Sequence, residues 1–186
     1  RPSPTTPRRA AARTTIRWWP ASGRDVLLGR HGELFAAARC GMLLIRPVTA
    51  ADAAAARALV LAGLAEHWGT LDPALNRDLD DILGSYAAGL FLVAYAGQEL
   101  VGTGALLPEE PGVARIVRMS VAARWRRQGI GQQLLQALLA WATPAGYTRI
   151  VLETTATWED AVNFYLGNGF RPVAVQGGDM QFSRDL

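Results

Sequence analysis

A short run of arginines and glycines carries the strongest chemical signal in the sequence. Arg126-Arg127-Gln128-Gly129-Ile130-Gly131 lies between an apolar stretch at 113–121 and an amphipathic stretch at 130–143. Glycine lets the backbone approach a ligand closely, and a helix start presents N–H groups that have no partner inside the helix. The helix dipole adds to the attraction of an anion. The run therefore predicts a pyrophosphate loop, with four cations around it: Arg118, Arg124, Arg126 and Arg127.

Two better-known phosphate loops do not fit this run. A Walker A loop ends in Gly-Lys-Ser/Thr, and the chain contains no lysine. The dinucleotide fingerprint needs a third glycine, and Leu134 stands where it would fall. A plain glycine turn beneath solvated arginines is the remaining alternative.

The hydrophobic periodicity around the loop alternates between strand and helix. It predicts the order β-α-α-β-β-β-α-β-α-β-β, which is a mixed sheet flanked by helices in the α/β (α+β) class. We expect strands at 42–47, 90–96, 99–107, 113–121, 147–154, 170–176 and 180–184. We expect helices at 53–66, 130–143 and 158–168, and another from Asp72 that buries Leu75, Leu79, Ile82 and Leu83.

The 186 residues divide into two parts of opposite charge. Residues 1–41 hold eight arginines and two acids, a net charge of +6, whereas residues 42–186 carry −3. Because the first part is rich in Pro, Arg and Ala, we predict a largely disordered extension, with disorder at 1–24 and a short amphipathic helix over 25–39. The chemistry is expected in one domain at 42–186.

Three interpretations of the extension stay open: a transit peptide, a nucleic-acid-binding arm, and an incidental extension, which the composition favours. If it binds nucleic acid, deleting residues 1–41 should abolish salt-sensitive binding of RNA or DNA. Nucleic acid is otherwise not an expected partner, because the domain itself is mildly acidic. One cysteine and two histidines exclude a disulfide framework and disfavour a metal centre, so we expect no metal. No apolar stretch approaches the roughly 20 residues of a membrane span.

Two motifs together resemble a known family. The loop Arg126-Arg127-Gln128-Gly129-Ile130-Gly131 resembles the Arg/Gln-x-x-Gly-x-Gly/Ala loop of the GNAT superfamily of acyl-CoA-dependent N-acyltransferases. Ala161-Val-Asn-Phe-Tyr165-Leu-Gly-Asn-Gly169-Phe170 resembles that family's Ala-x-x-x-Tyr-x-x-x-Gly-Phe helix end. The resemblance covers roughly residues 42–186. It implies a mostly antiparallel central sheet with a V-shaped split between the fourth and fifth strands, counted from the strand at Met42.

The resemblance also implies acetyl-CoA as co-substrate, lying in that split. The backbone of Met119, Ser120 and Val121 would lie beside pantetheine and thioester. The pyrophosphate would be held by Arg126, Arg127, Gln128, Gly129, Ile130, Gly131 and Gln132. Tyr165 matches the family's general acid, which protonates the leaving thiolate; its alternative is a packing tyrosine.

The general base is less well determined by the sequence. Many relatives carry Glu in the strand before the loop, where this chain has Arg115. Glu153 is the candidate that remains, and its alternative is a solvated strand-end acid. His67 could act as a base or as an ordinary packing histidine. Trp158 stands where relatives often have a cofactor-contacting Asn, so it either packs on pantetheine or starts a helix.

The sequence does not identify the acceptor. In the family that the chain resembles, the acceptor is set mostly by the segments that correspond to residues 64–90 and to the hairpin at 108–112. These segments hold seven acids, which are compatible with a cationic amine: Glu66, Asp72, Asp78, Asp80, Asp81, Glu109 and Glu110. We expect a cytoplasmic N-acetyltransferase, monomer or homodimer, that acts on a small primary amine without membrane contact. The alternatives are a non-catalytic acyl-CoA-binding module and a protein N-terminal or side-chain acetyltransferase.

Overall fold

A computed structural model describes residues 26–28, 34–38 and 41–186, with side chains described from Leu43 onward. Within these ranges nine strands form one sheet in the order β1-β2-β3-β4-β5-β6-β7-β9-β8. The strands are β1 (Val26–Leu28), β2 (Leu34–Ala38), β3 (Gly41–Pro47), β4 (Leu90–Ala96), β5 (Glu99–Glu110), β6 (Val113–Val121), β7 (Arg149–Thr155), β8 (Arg171–Gln176) and β9 (Asp179–Asp185).

All neighbouring strands are antiparallel except β6 and β7, which run parallel. This pattern confirms the predicted mixed, mostly antiparallel sheet. The predicted fourth and fifth strands are β6 and β7. The last strand, β9, inserts between β7 and β8, so the exposed β8 forms an edge of the sheet.

Helices cover both faces of the sheet and create two cores. The helices are α1 (Ala53–Trp68), α2 (Ile82–Ser85), α3 (Ile130–Ala142) and α4 (Glu159–Gly167). The buried stripe of α3, which includes Leu134 and Leu138, forms the larger core together with Tyr165 of α4. On the opposite face, Val60 of α1 and Ile82 of α2 bury Val93 and Ala105. Among the described helices, none has the length and apolar character needed to cross a bilayer.

Two predicted helices are wrong. The segment after Asp72 forms a 3₁₀ helix at Pro73–Leu79 and then the single turn of α2. Leu79 and Ile82 are buried as expected, but Leu75 and Leu83 are exposed, because the chain kinks at Asn76. The predicted helix at 25–39 is replaced by β1 and β2, which pair with each other and extend the sheet beyond β3. The disorder predicted for 1–24 lies outside the described residues.

Candidate active site

The central feature of the site is a split between β6 and β7. The two strands pair only at their beginnings, and Arg115 opposite Val151 is their last paired row. Beyond that row β6 continues to Val121 and β7 to Thr155 without pairing to each other. Backbone groups along the inner edges of these ends are therefore available to an extended ligand. The split predicted from the family resemblance is present at the expected strands.

A β-bulge shapes the β6 side of the split. The pairing of β5 with β6 shifts between Thr103–Ser120 and Ala105–Val117, so one residue of β6 is extra. Arg118 is at the bulge, and its φ of 55° lies in the left-handed region, where a non-glycine residue costs roughly 1–3 kcal/mol. The buried Thr103 hydroxyl donates to the Arg118 carbonyl at 2.9 Å. The bulge is thus held from within the sheet.

The bulge sends the Arg118 side chain to the face covered by α1 and α2, away from the phosphate loop. Its guanidinium donates to both carboxylate oxygens of Asp78, at 2.9 and 2.6 Å, and to Asn76 Oδ1 at 2.9 Å. The predicted placement of Arg118 among the loop cations is therefore wrong. Without the extra residue, strand alternation would have turned this side chain toward α3.

Asp78 also accepts a hydrogen bond from the Tyr86 hydroxyl at 2.5 Å. Burial opposes its ionisation, but the hydrogen bonds from Arg118 and Tyr86 prevail and lower the pKa of Asp78. Burial and the neighbouring carboxylate raise the pKa of Tyr86. Sequence reasoning missed this polar cluster, because 40 residues separate Asp78 from Arg118 and no local pattern links them.

The predicted phosphate loop lies directly after β6. A 3₁₀ turn at Ala123–Trp125 leads into Arg127 and Gly129, whose φ angles are 58° and 86°. Gly129 is the N-cap of α3, and the first α-helical bond runs from Gln133 N–H to its carbonyl. The N–H groups of the residues between them have no acceptor within the helix. Such a turn followed by a helix start is an anion-binding concavity.

The loop arginines have different partners. Arg126 pairs with Glu66 at 2.6 Å and donates to the Val121 carbonyl at 3.0 Å, whereas Arg124 pairs with Glu99. Arg127 is exposed and, among the described residues, has no carboxylate within ion-pair distance. Gln128 donates to the Arg124 carbonyl at 3.0 Å. Arg127 is therefore the loop cation best available to a phosphate.

Tyr165 lies on α4, on the same side of the sheet as α3. Its ring contacts Phe164, Phe170 and Phe182 with centroid separations of 5.2 to 6.0 Å, and the residue is 8% exposed. Burial raises the pKa of the Tyr165 hydroxyl well above its usual range. The phenol therefore stays protonated at neutral pH, which a proton donor requires.

Glu153 lies on the opposite face from Tyr165. Ile150 and Leu152 of β7 are buried against α3, so the alternate residue Glu153 points to the other side, where its side chain is 53% exposed. Its carboxylate lies 3.6 Å from Arg115, which is itself held bidentately by Glu109 at 2.8 and 2.6 Å. Arg115 thus binds two carboxylates, and it stands at the position where many relatives carry a glutamate.

The C-terminal turn of α1 reaches both sides of the split. Glu66 binds Arg126 of the phosphate loop, and the His67 ring stacks on Trp158, the N-cap residue of α4, at 3.9 Å. Trp68 also contacts the Trp158 ring, at 5.1 Å. Trp158 therefore packs against α1, where its ring contacts the exposed rings of His67 and Trp68.

Most of the seven acids have structural partners. Glu66, Asp78, Asp80 and Glu109 each pair with an arginine. Asp72 and Asp81 accept backbone N–H groups at the starts of the two short helices. Because these carboxylates are bound to different partners in separate places, they are less suited to attract a cationic amine together.

Among the residues that the structure describes, no group of three or more His, Cys, Asp or Glu side chains is arranged to hold a metal ion.

The sequence model of the Acetyltransferase (GNAT) family matches residues 54–170, which span α1, the split, the phosphate loop and α4. The chain belongs to this family of acyltransferases, and the resemblance drawn from the two motifs is confirmed.

Curated relatives support the same assignment. The chain is 40% identical over 104 residues to N-acetyltransferase 8F1 of Rattus norvegicus, covering 52% of this chain and 47% of the relative. It is 39% identical over 105 residues to rat N-acetyltransferase 8B, with the same coverage. The chain spans about half the length of the curated relatives it matches.

Solved structures share the fold. An acetyltransferase of the GNAT family from Staphylococcus aureus Mu50 superposes with a TM-score of 0.71 at 22% identity, covering 77% of this chain and 99% of that one. The PaiA N-acetyltransferase from Thermoplasma acidophilum, solved in complex with coenzyme A, gives a TM-score of 0.68 at 18% identity, covering 77% and 99%.

Proposed function

We propose that the protein is an N-acetyltransferase that moves the acetyl group of acetyl-CoA to a primary amine by direct attack in a ternary complex. The observation that carries the proposal is the parting of β6 and β7 after Arg115–Val151, immediately before an anion-binding helix start. An extended pantetheine arm fits beside the open edge of β6, at Met119, Ser120 and Val121. The pyrophosphate then reaches the loop from Arg126 to Gln132.

Tyr165 and Glu153, on opposite faces of the sheet, are the side chains that we assign to the two proton transfers. The amine nitrogen forms a bond to the thioester carbonyl carbon, and a strand amide of β6 stabilises the developing oxyanion. The C–S bond then breaks, and Tyr165 donates its proton to the departing thiolate. The proton lost by the amine passes to Glu153, directly or through water. The products are the N-acetyl amine and CoA thiol.

An amine panel with detection of free CoA thiol tests the proposal. We expect turnover on at least one primary amine, with kcat reduced about 10²- to 10⁴-fold in Tyr165→Phe, because the proton donor is removed. Tyr147→Phe is the matched control, since Tyr147 precedes β7 and packs against Trp141. Equal kcat values for wild type and Tyr165→Phe would exclude the catalytic role of this tyrosine.

One observation favours a second candidate, a non-catalytic acyl-CoA-binding module. The position at which many relatives carry Glu is held by Arg115, whose guanidinium is bound by Glu109 and Glu153. Stoichiometric CoA binding without turnover of any amine would select this second function.

The acceptor class we propose is a small-molecule amine, and modification of a protein N-terminus or side chain is the alternative that peptide substrates in the same panel would reveal. Residues 42–186 are proposed as the transferase domain, with residues 1–41 as its extension. A cytoplasmic location and a monomeric or homodimeric state also stay predictions, which cell fractionation and light scattering would test.

A further inference from the structure

The bulge in β6 is tied to a distant part of the chain by one side chain. Arg118 reaches the 3₁₀ segment at Pro73–Leu79 and donates there to Asp78, Asn76 and, at 3.5 Å, the Leu75 carbonyl. These contacts use every nitrogen of the guanidinium. The Arg118 and Asp78 side chains are only 18% and 29% exposed, so solvent screens this ion pair far less than a surface pair.

This tether, formed by the contacts of Arg118 with Asp78 and Asn76, acts on the part of the β6 backbone that faces the split. Because Arg118 is the extra residue of the bulge, Val117 and Arg118 both face α1 and α2, whereas Met119 packs toward α3. The bulge changes the face of the sheet on which the following side chains lie. It therefore also sets the direction in which the N–H and C=O groups of the next residues of β6 point. Releasing the side chain would let the left-handed φ of Arg118 relax toward the extended region that non-glycine residues prefer.

We propose that Arg118 is a positioning residue: its side chain, held by Asp78 and Asn76, fixes the β6 bulge and thereby aims the strand amides at the thioester carbonyl. The inference rests on the proposed function, since it assigns to Arg118 the orientation of the groups that stabilise the oxyanion. Arg118 touches neither substrate nor cofactor in this role. Its contribution belongs to the transition state, so it acts on kcat more than on acetyl-CoA binding.

Kinetics of Arg118→Gln and Asp78→Asn test the tether from its two ends. We expect each variant to lower kcat about 10- to 100-fold, less than or similar to the loss of a whole oxyanion donor, with KM for acetyl-CoA within about twofold of wild type. The double variant should be no worse than the poorer single one, because both changes break one contact. Arg118→Lys keeps the charge but loses the bidentate geometry, so its kcat should fall between wild type and Arg118→Gln.

Arg118→Gly distinguishes the effect of the side-chain contacts on kcat from the effect of the backbone φ angle. Glycine adopts a positive φ without strain. If the bulge depended on the backbone φ of residue 118 alone, this variant would therefore keep the wild-type kcat. We expect kcat to fall as in Arg118→Gln, because the link to Asp78 is absent.

Arg46→Gln is the matched control for stability. Arg46 also binds an aspartate bidentately, the buried Asp52 at the N-terminal end of α1, whereas the C-terminal turn of this helix, which is about 24 Å long for its 16 residues, lies at the phosphate loop. We expect Arg46→Gln to lower the melting temperature at least as much as Asp78→Asn, with kcat within about twofold of wild type.

Infrared spectroscopy of bound acetyl-CoA, isotope-labelled at the acetyl carbonyl, gives a readout that does not need turnover. We expect the carbonyl stretch to shift to lower frequency on binding to wild type and Arg46→Gln, and to lose most of that shift in Asp78→Asn. An unchanged shift and kcat in Asp78→Asn and Arg118→Gln would overturn the role of Arg118 while leaving the proposed function intact. Wild-type protein that neither binds nor turns over acetyl-CoA would overturn the proposed function, and the inference with it.

Discussion

At the scale of single residues, the proposed proton donor Tyr165 lies in an aromatic core. A phenol surrounded by Phe164, Phe170 and Phe182 has little solvent or charge to stabilise its anion. The resulting rise in pKa keeps the proton on the hydroxyl, and the residue packs in the core on the α3 side of the sheet. The same packing that stabilises α4 against the sheet therefore keeps the phenol in the protonation state that the proposed role requires.

The raised pKa predicts the pH dependence of turnover. The neutral phenol is the active form, and its folded pKa lies above the ordinary value of about 10, so this form persists throughout the range below that value. We expect kcat at saturating acetyl-CoA to show no basic limb between about pH 7 and pH 10. A fall in kcat within this range that is absent from the residual activity of Tyr165→Phe would contradict the assignment.

At the scale of elements, the two glycines at the junction of β6 and α3 differ in the side chains that they tolerate. A Cβ at Gly131 would lie 3.7 Å from both Phe164 and Val121, which is ordinary van der Waals contact. Gly129 differs, because its φ of 86° strains any other residue. The fold therefore favours glycine at 129 and leaves room for alanine at 131, which is the Gly/Ala position of the family loop.

We predict that Gly129→Ala binds CoA at least about tenfold more weakly, because the loop then either carries the strain of a left-handed alanine, roughly 1–3 kcal/mol, or relaxes and turns its N–H groups away from the pyrophosphate. Gly131→Ala should fold as well as wild type and keep a Kd for CoA within about threefold, because the family loop accepts alanine at this position and alanine suits a helix better than glycine. Calorimetric Kd values for CoA and melting temperatures measure the two effects.

Gly146→Ala is the control for Gly129→Ala, because Gly146 also has a positive φ, 92°, and a Cβ there meets nothing within 4 Å. Its Kd for CoA should match that of wild type. If Gly129→Ala also bound CoA with unchanged affinity, the pyrophosphate would have to bind elsewhere.

At the scale of the whole molecule, the stability of the sheet face under α1 depends on a buried carboxylate. Asp52 accepts hydrogen bonds from Arg46, from the Tyr95 hydroxyl at 2.7 Å, and from Thr49. The Arg46 contact, reinforced by those from Tyr95 and Thr49, prevails over burial and lowers the pKa of Asp52. Through these contacts Asp52 joins β3, β4 and the start of α1.

We predict that Asp52→Asn lowers the free energy of unfolding by about 3 kcal/mol at pH 7, because it removes the buried carboxylate to which Arg46 donates two hydrogen bonds. The folded pKa is depressed, so the contribution of Asp52 is complete above the unfolded value of about 3.9 and is lost as the pH falls below it. The difference in unfolding free energy between wild type and Asp52→Asn should therefore shrink between about pH 4 and pH 2.

Urea unfolding at pH 7, 4 and 2.5 measures this change. Asp80→Asn serves as the control, because Asp80 forms an exposed pair with Arg57 and should contribute less than about 1 kcal/mol. A constant difference between wild type and Asp52→Asn across this pH range would contradict the assignment.

The sequence by itself determined the features that depend on neighbours along the chain. Alternating apolar residues placed β3 to β7 to within a few residues, and the amphipathic stripe of α3 defined its buried face. The glycine loop before α3 and the motif around Tyr165 identified the family. These signals are local, because strand alternation, helix periodicity and glycine φ angles act over a few residues.

Only the tertiary structure decided the contacts between distant segments. The bulge turned Arg118 away from the phosphate loop to Asp78, β9 inserted between β7 and β8, and the end of α1 met both Arg126 and Trp158. One extra residue in a strand reverses the face on which the later side chains lie, and its position depends on the pairing of two strands. Periodicity within a single strand does not contain that information, because it arises from contacts across the sheet.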